Sequence, residues 1–238
     1  GNSAPLPHAS PTIPDFAAAL GEALDGLGLA HAPIYATHTS SKIALEHAAR
    51  AGRPAGLVLD GLSIPTAPPD PAFIGRYMRP FVIDDSGGYL GAEWTRIRDM
   101  LRWFPWFDRQ PRNRMAINPP GDGWIADYVI DYFSAGPHYS SAYAAAMYYD
   151  PLPALNRVAC PTLVGAREND VLYSHLERVP TGKNEALRME RLSADPETWL
   201  QWIERSLSAL ATPGKQDHAA VPYATGPVYV DVPHGQIL

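Results

Sequence analysis

Three polar side chains stand just beyond short apolar runs in this sequence. They are His38 after Ala32–Thr37, Asp60 after Leu57-Val58-Leu59, and Asp170 after Pro161–Gly165 and a polar turn. An imidazole can attack an acyl carbon or take a proton near neutral pH, and a carboxylate can orient it and steady its charged form. His38 with either Asp170 or Asp60 is therefore a candidate for nucleophilic or general-base chemistry. Two other histidines are weaker candidates. His175 reads as a solvated helix residue, and His138, in Ala-Gly-Pro-His-Tyr, could touch a ligand. No H-x-x-x-H or H-x-H spacing accompanies these residues, so neither a metal nor another cofactor is expected.

The surroundings of His38 are more specific. Ile34-Tyr-Ala-Thr-His38-Thr-Ser40-Ser-Lys-Ile-Ala44 reads as strand, sharp turn and helix, with small residues two places before and after the histidine. This resembles the nucleophile elbow of the α/β-hydrolases, small-x-nucleophile-x-small, here Ala36-Thr37-His38-Thr39-Ser40. The run Leu57–Gly61, ending Leu-Val-Leu-Asp-Gly, resembles the next strand of that fold. The stretch from Tyr149-Asp150-Pro-Leu to Cys160-Pro-Thr-Leu-Val resembles the exit from a lid into the strand before the catalytic acid, with Asp170 at the acid's position. Residues 1–7 resemble the loop after the family's fourth strand. These pieces occur in the expected order over roughly residues 1–211.

The resemblance implies an enzyme with two departures from the usual pattern. The elbow carries His38 instead of Ser, Cys or Asp, and the place expected for the family's general-base His holds Leu192-Ser-Ala-Asp-Pro196. A Ser-His-acid triad cannot be built from these residues, so His38 itself must be nucleophile or base. Its partner is Asp170 or Asp60, the latter at an alternative acid position used by some relatives. The backbone N–H of Thr39 would serve the oxyanion, as the residue after the nucleophile does in the family.

Elements must hold these groups in place. Thr12-Ile-Pro-Asp15 looks like a helix start, followed by Phe16, Leu20, Leu24 and Leu27 on one face. Strand candidates at Ala32–Thr37, Leu57–Leu59, Pro161–Gly165 and Ala186–Leu192 alternate with helices at Ser40–Arg50 and from Asp195-Pro196, where Trp199, Trp202, Ile203, Ser206, Leu207 and Leu210 form an amphipathic face. The expected fold class is α/β, a mainly parallel sheet flanked by helices, which binds ligands beyond the carboxyl ends of its strands.

Residues 62–150 interrupt this rhythm and hold 17 of the 24 aromatic residues, including Trp94, Trp103, Trp106 and Trp124. An inserted helical, aromatic-rich lid is expected there, with Trp103, Trp106 and His138 as candidate substrate contacts. Residues 1–61 and 151–211 would form the hydrolase core and 212–227 a linker. The segment 228–238 would be a strand that resembles the start of a hydrolase domain, set at the wrong end. The family's first strands have no counterpart, so the chain is expected to need a complementing segment or self-association, whether as fragment, tandem module or permuted form.

Composition narrows the function classes. A net charge of −6 without a basic stripe disfavours nucleic acid as a partner. No apolar run approaches the roughly 20 residues that span a bilayer, so no membrane partner is expected. The lone Cys160 fits a reducing, cytoplasmic setting. The expectation is a hydrolase for a small, fairly apolar ester-like substrate. Alternatives are a catalytically silent ligand-binding or scaffold module, and a cofactor-free lyase with His38 as base.

Overall fold

The computed structural model describes residues 4–115, 117–211, 230–232 and 235–237. One compact unit comprises Leu6–Thr66 and Tyr149–Leu238, the other Gly1–Pro5 and Ala67–Tyr148. The helices in chain order are α1 (Ile13–Gly26), α2 (His38–Ala51), α3 (Pro71–Tyr77), α4 (Gly88–Met100), α5 (Asp122–Ala135), α6 (Tyr139–Tyr148), α7 (Leu152–Arg157) and α8 (Pro196–Leu210). None of the described helices is long and apolar enough to cross a membrane.

The first unit is built on four parallel strands, β1 (Ile34–Thr37), β2 (Leu57–Asp60), β3 (Thr162–Arg167) and β4 (Leu187–Leu192), lying side by side in chain order. Both faces of a parallel sheet must be covered, which is why β2 is buried along its whole length. Leu57 and Leu59 meet Ala44, Leu45 and Ala48 of α2 and Ala154 and Leu155 of α7. Val58, pointing the other way, meets Trp202 of α8 with Tyr35 and Leu163 beside it. The register pairs Thr37 with Asp60, so His38 and Gly61 leave the sheet together.

Trp202 is the keystone of the α8 face, 1% exposed. It fits because β3 has Gly165 beneath it, where a Cβ would come within 2.6 Å of the indole ring. The helix starts as its sequence requires: Asp195 caps it by accepting the Thr198 N–H at 2.8 Å, with Pro196 in the first turn.

Several expectations shift in detail. The α1 face expected from Phe16, Leu20, Leu24 and Leu27 is only partly buried, and Leu27 is exposed. Ile13, Ala17 and Ala23 are the buried residues of that helix, and the two alanines are small enough to let it lie close on α2. The second helix begins at His38, not Ser40, with no loop after β1. Arg167, read as part of a turn, is the last residue of β3. The expected strand at 228–238 is a separate antiparallel hairpin, β5 (Val230–Val232) and β6 (Gly235–Ile237), and does not join the parallel sheet. Residues 212–227, expected to be a linker, lie outside the described residues.

The second unit is helical, and its aromatic content has a packing reason. Phe81, Ile97, Ile125, Val129 and Tyr132 form a buried core with Tyr89 and Phe133 against it. A separate group joins Phe73, Tyr77, Phe104, Phe107 and Tyr143 through ring contacts. Inside the unit Glu93 and Arg96, each almost fully buried, pair with one another and with Tyr132.

Trp202→Ala should lower stability by about 3–5 kcal/mol, the usual cost of emptying a large buried aromatic site. Urea unfolding followed by far-ultraviolet circular dichroism measures it, and a loss below about 1 kcal/mol would contradict this packing.

Candidate active site

The bend between β1 and α2 is tight because the chain turns from strand to helix through a single residue. His38 takes φ 47°, and it is the one non-glycine residue with positive φ among those described. An L-residue pays about 1–3 kcal/mol to sit there, so the neighbours must fix it. Ser40 does so on one side: its Oγ accepts the Thr37 N–H at 2.9 Å and donates to the Thr37 carbonyl. Ser41 does so on the other. Fully buried, it donates from Oγ to the carbonyl of Ala36 at 2.9 Å and lies 3.4 Å from that of Asp60, tying α2 to the ends of β1 and β2.

His38 Nε2 lies 2.8 Å from Asp170 Oδ2. The imidazole side chain is 43% exposed and the carboxylate 6%. Asp170 stands in the turn after β3, its N–H donating to the Arg167 carbonyl, and its Oδ1 accepts the Leu172 N–H at 2.8 Å. A carboxylate has only acceptors, so Nε2 is the ring's donor and Nδ1 is left with its lone pair. The hydrogen bond to Asp170, joined by that carboxylate's charge, holds the His38 pKa above the ordinary imidazole value despite burial. Burial pushes Asp170 up, but the bond and charge from His38 outweigh it, and its pKa falls below the usual carboxylate value.

Gly61 makes this contact sterically possible. At φ 71° it leaves β2 directly beneath the imidazole, where a Cβ would lie 2.8 Å from His38 Cδ2 and 2.9 Å from Nε2. Thr39 lies in the first turn of α2, whose N–H groups have no carbonyl of their own helix to reach. The helix dipole adds a partial positive charge there.

Asp60 does not act as the partner of His38. It is 2% exposed, and its Oδ2 accepts from the Tyr35 hydroxyl at 3.0 Å and from Trp199 Nε1 at 2.8 Å. That carboxylate ties β1, β2 and α8 together and reaches His38 only through its charge. His175 is also no solvated bystander. Its Nδ1 accepts the Ile64 N–H at 2.9 Å, steadying the loop that follows Gly61. Trp103, Trp106 and His138 belong to the helical unit. There Trp106 donates from Nε1 to the Tyr77 carbonyl, Trp103 bridges to Arg114, and His138 closes a short 3-10 turn. Among the described residues no three His, Cys, Asp or Glu side chains are grouped to hold a metal ion.

No family model and no curated protein sequence matches this chain. Solved structures do. A thermophilic esterase from Thermogutta terrifontis aligns with a TM-score of 0.57 at 20% identity, over 88% of this chain and 75% of its own. A carboxylesterase structure from Nitrososphaera gargenis gives 0.60 at 12% identity, over 86% and 74%. Epoxide Hydrolase A from Mycobacterium thermoresistibile gives 0.57 at 18%, over 84% and 75%. The chain has the α/β-hydrolase fold. At these identities the likeness is one of architecture alone.

Within this α/β-hydrolase fold, the residues that sequence reading missed are the ones that support the His38–Asp170 contact. Ser41 and Gly61 were visible only as a small residue in a helix and the end of a strand. The partners of Asp60 lie 25 and 139 residues away, and no local pattern announces them.

Gly61→Ala should displace the His38 ring and strain the backbone by about 1 kcal/mol or more, because an L side chain disfavours this φ. The nuclear magnetic resonance signals of the His38 ring report it directly. An unchanged spectrum would mean that the imidazole does not rest on this glycine.

Proposed function

We propose that this chain is an α/β-hydrolase-fold enzyme that cleaves a small, fairly apolar ester or similar acyl compound, with the His38–Asp170 pair as its general base. The observation that carries the reading is the 2.8 Å contact between a half-exposed imidazole at a strained bend and a buried carboxylate. Backbone strain of this kind persists where the surrounding structure holds it, and it aims His38 outward from the carboxyl ends of the strands.

In the proposed reaction Nδ1 of neutral His38 takes a proton from a water molecule as the water oxygen attacks the ester carbonyl. The imidazolium formed is steadied by Asp170, which keeps its charge throughout. The carbonyl oxygen becomes an oxyanion facing the Thr39 N–H at the start of α2. Collapse of this intermediate breaks the bond to the alcohol oxygen, which receives the proton back from Nδ1. One water is consumed, an acid and an alcohol leave, and the dyad returns to its starting state. No histidine from the loop after β4 is required, because the elbow supplies the imidazole directly.

A panel of short-chain esters and thioesters tests this. His38→Ala should lower kcat/KM by about 10²–10⁴-fold, the usual contribution of a positioned base, while the variant still melts cooperatively. Undiminished hydrolysis by that variant would end the reading, whereas saturable ligand binding with no turnover in either protein would favour a silent binding module.

The pH dependence carries its own sign. The active form is neutral His38, so kcat/KM should rise with pH through a midpoint above the ordinary imidazole value of about 6.5. Asp170→Asn removes the charge and should move that midpoint down while reducing the plateau. A midpoint indifferent to Asp170 would contradict the dyad.

A further inference from the structure

Arg167 ends β3, three residues before Asp170, and its half-buried guanidinium lies over the Trp199 ring, 4.4 Å from the centroid. Elsewhere in the same unit Arg50, Arg53, Arg157, Arg191 and Arg205 pair with carboxylates, and Arg178 and Arg188 donate to backbone carbonyls. Among the described residues Arg167 has neither kind of partner: no carboxylate pairs with it, and its buried Nε has no hydrogen-bond acceptor. The buried carboxylate that shares the indole, Asp60, is bonded through Oδ2 to Tyr35 and Trp199 and forms no ion pair with it. A cation left unpaired in a partly desolvated place is costly unless something completes it.

Its location says what that something is. The carboxyl ends of parallel strands are where such sheets bind ligands. The charge of Arg167 also reaches the dyad, where it offsets a small part of the rise in the His38 pKa and adds a little to the fall in that of Asp170. The Trp199 ring holds the guanidinium by a cation–π contact, and a guanidinium's planar fork of N–H donors matches a carboxylate.

We propose that Arg167 binds a carboxylate of the substrate, so that the enzyme's preferred ester carries an anionic group on its acid portion, as a half-ester of a short dicarboxylic acid does. This rests on the hydrolase reading of the same site. It adds an ionic handle to an otherwise small and apolar molecule, and makes Arg167 a specificity-determining residue.

Monomethyl succinate and dimethyl succinate separate the possibilities, since they differ by one negative charge. The unmodified protein should favour the monoester in kcat/KM, chiefly through KM. Arg167→Gln should reduce that preference by about tenfold or more, and Arg167→Lys, which keeps the charge and loses the fork, should recover part of it. An equal preference for the two esters in the unmodified protein, or one unchanged by Arg167→Gln, overturns the proposal. Calorimetric titration with succinate provides a readout free of turnover. Binding that is lost in Arg167→Gln supports the carboxylate site even if neither ester is cleaved, in which case it is the hydrolase reading that fails. No succinate binding to the unmodified protein overturns the site itself. A cooperative melt of each variant confirms that the fold is retained.

Discussion

The hydrogen bond between His38 and Asp170 joins residues 132 positions apart, and the rest of the unit is arranged so that it can form. Parallel strands in register bring their carboxyl ends to one level, so the bend after β1 and the turn after β3 face each other across Gly61. The bond polarises both partners in the direction that favours an ion pair. The imidazole becomes a stronger base and the carboxyl a stronger acid, so Asp170 stays ionised whenever His38 is able to work. A histidine placed on open helix surface would have neither the fixed orientation nor the shifted affinity for a proton.

Holding that imidazole costs free energy locally. His38 occupies a backbone region that side chains avoid, and Asp60 buries a carboxylate whose Oδ1 has no hydrogen-bond partner. The offset comes from neighbours with no chemistry of their own. Ser40 and Ser41 satisfy carbonyls at the bend, Tyr35 and Trp199 grip Asp60, and Trp202 seats α8 on the sheet through the gap left by Gly165. Stability is thus concentrated beneath the sheet's carboxyl end, as expected when a strained functional group must be over-determined by its surroundings.

The strands were legible in the sequence because buried parallel strands are short apolar runs, and Leu57-Val58-Leu59 has no other use. The bend at His38 was legible too, since small residues on both sides leave room for a turn that larger ones would block. Between the two acids the sequence favoured Asp170, which stands at the family acid's position, but it did not exclude Asp60. Both follow strands, and what sets Asp60 aside is that two aromatic residues distant in sequence, Tyr35 and Trp199, claim its carboxylate. The buried face of α1 was misread for a related reason: Leu20 and Leu24 are better hydrophobes than Ala17, but close helix contact selects the small residue. Nothing in the sequence around Arg167 sets it apart, since an arginine near a turn is ordinary and its lack of partners is a property of the fold.

The chemistry of this site requires that His38 and Asp170 behave as a coupled pair in solution. Nuclear magnetic resonance titration of the His38 ring nitrogens, in the unmodified protein and in Asp170→Asn, measures this most directly. The expected result is a His38 pKa above about 6.5, protonated Nε2 in the neutral ring, and a clear downward shift when Asp170 loses its charge. A His38 that titrates at the same pH in both proteins, with the proton on Nδ1, would contradict it.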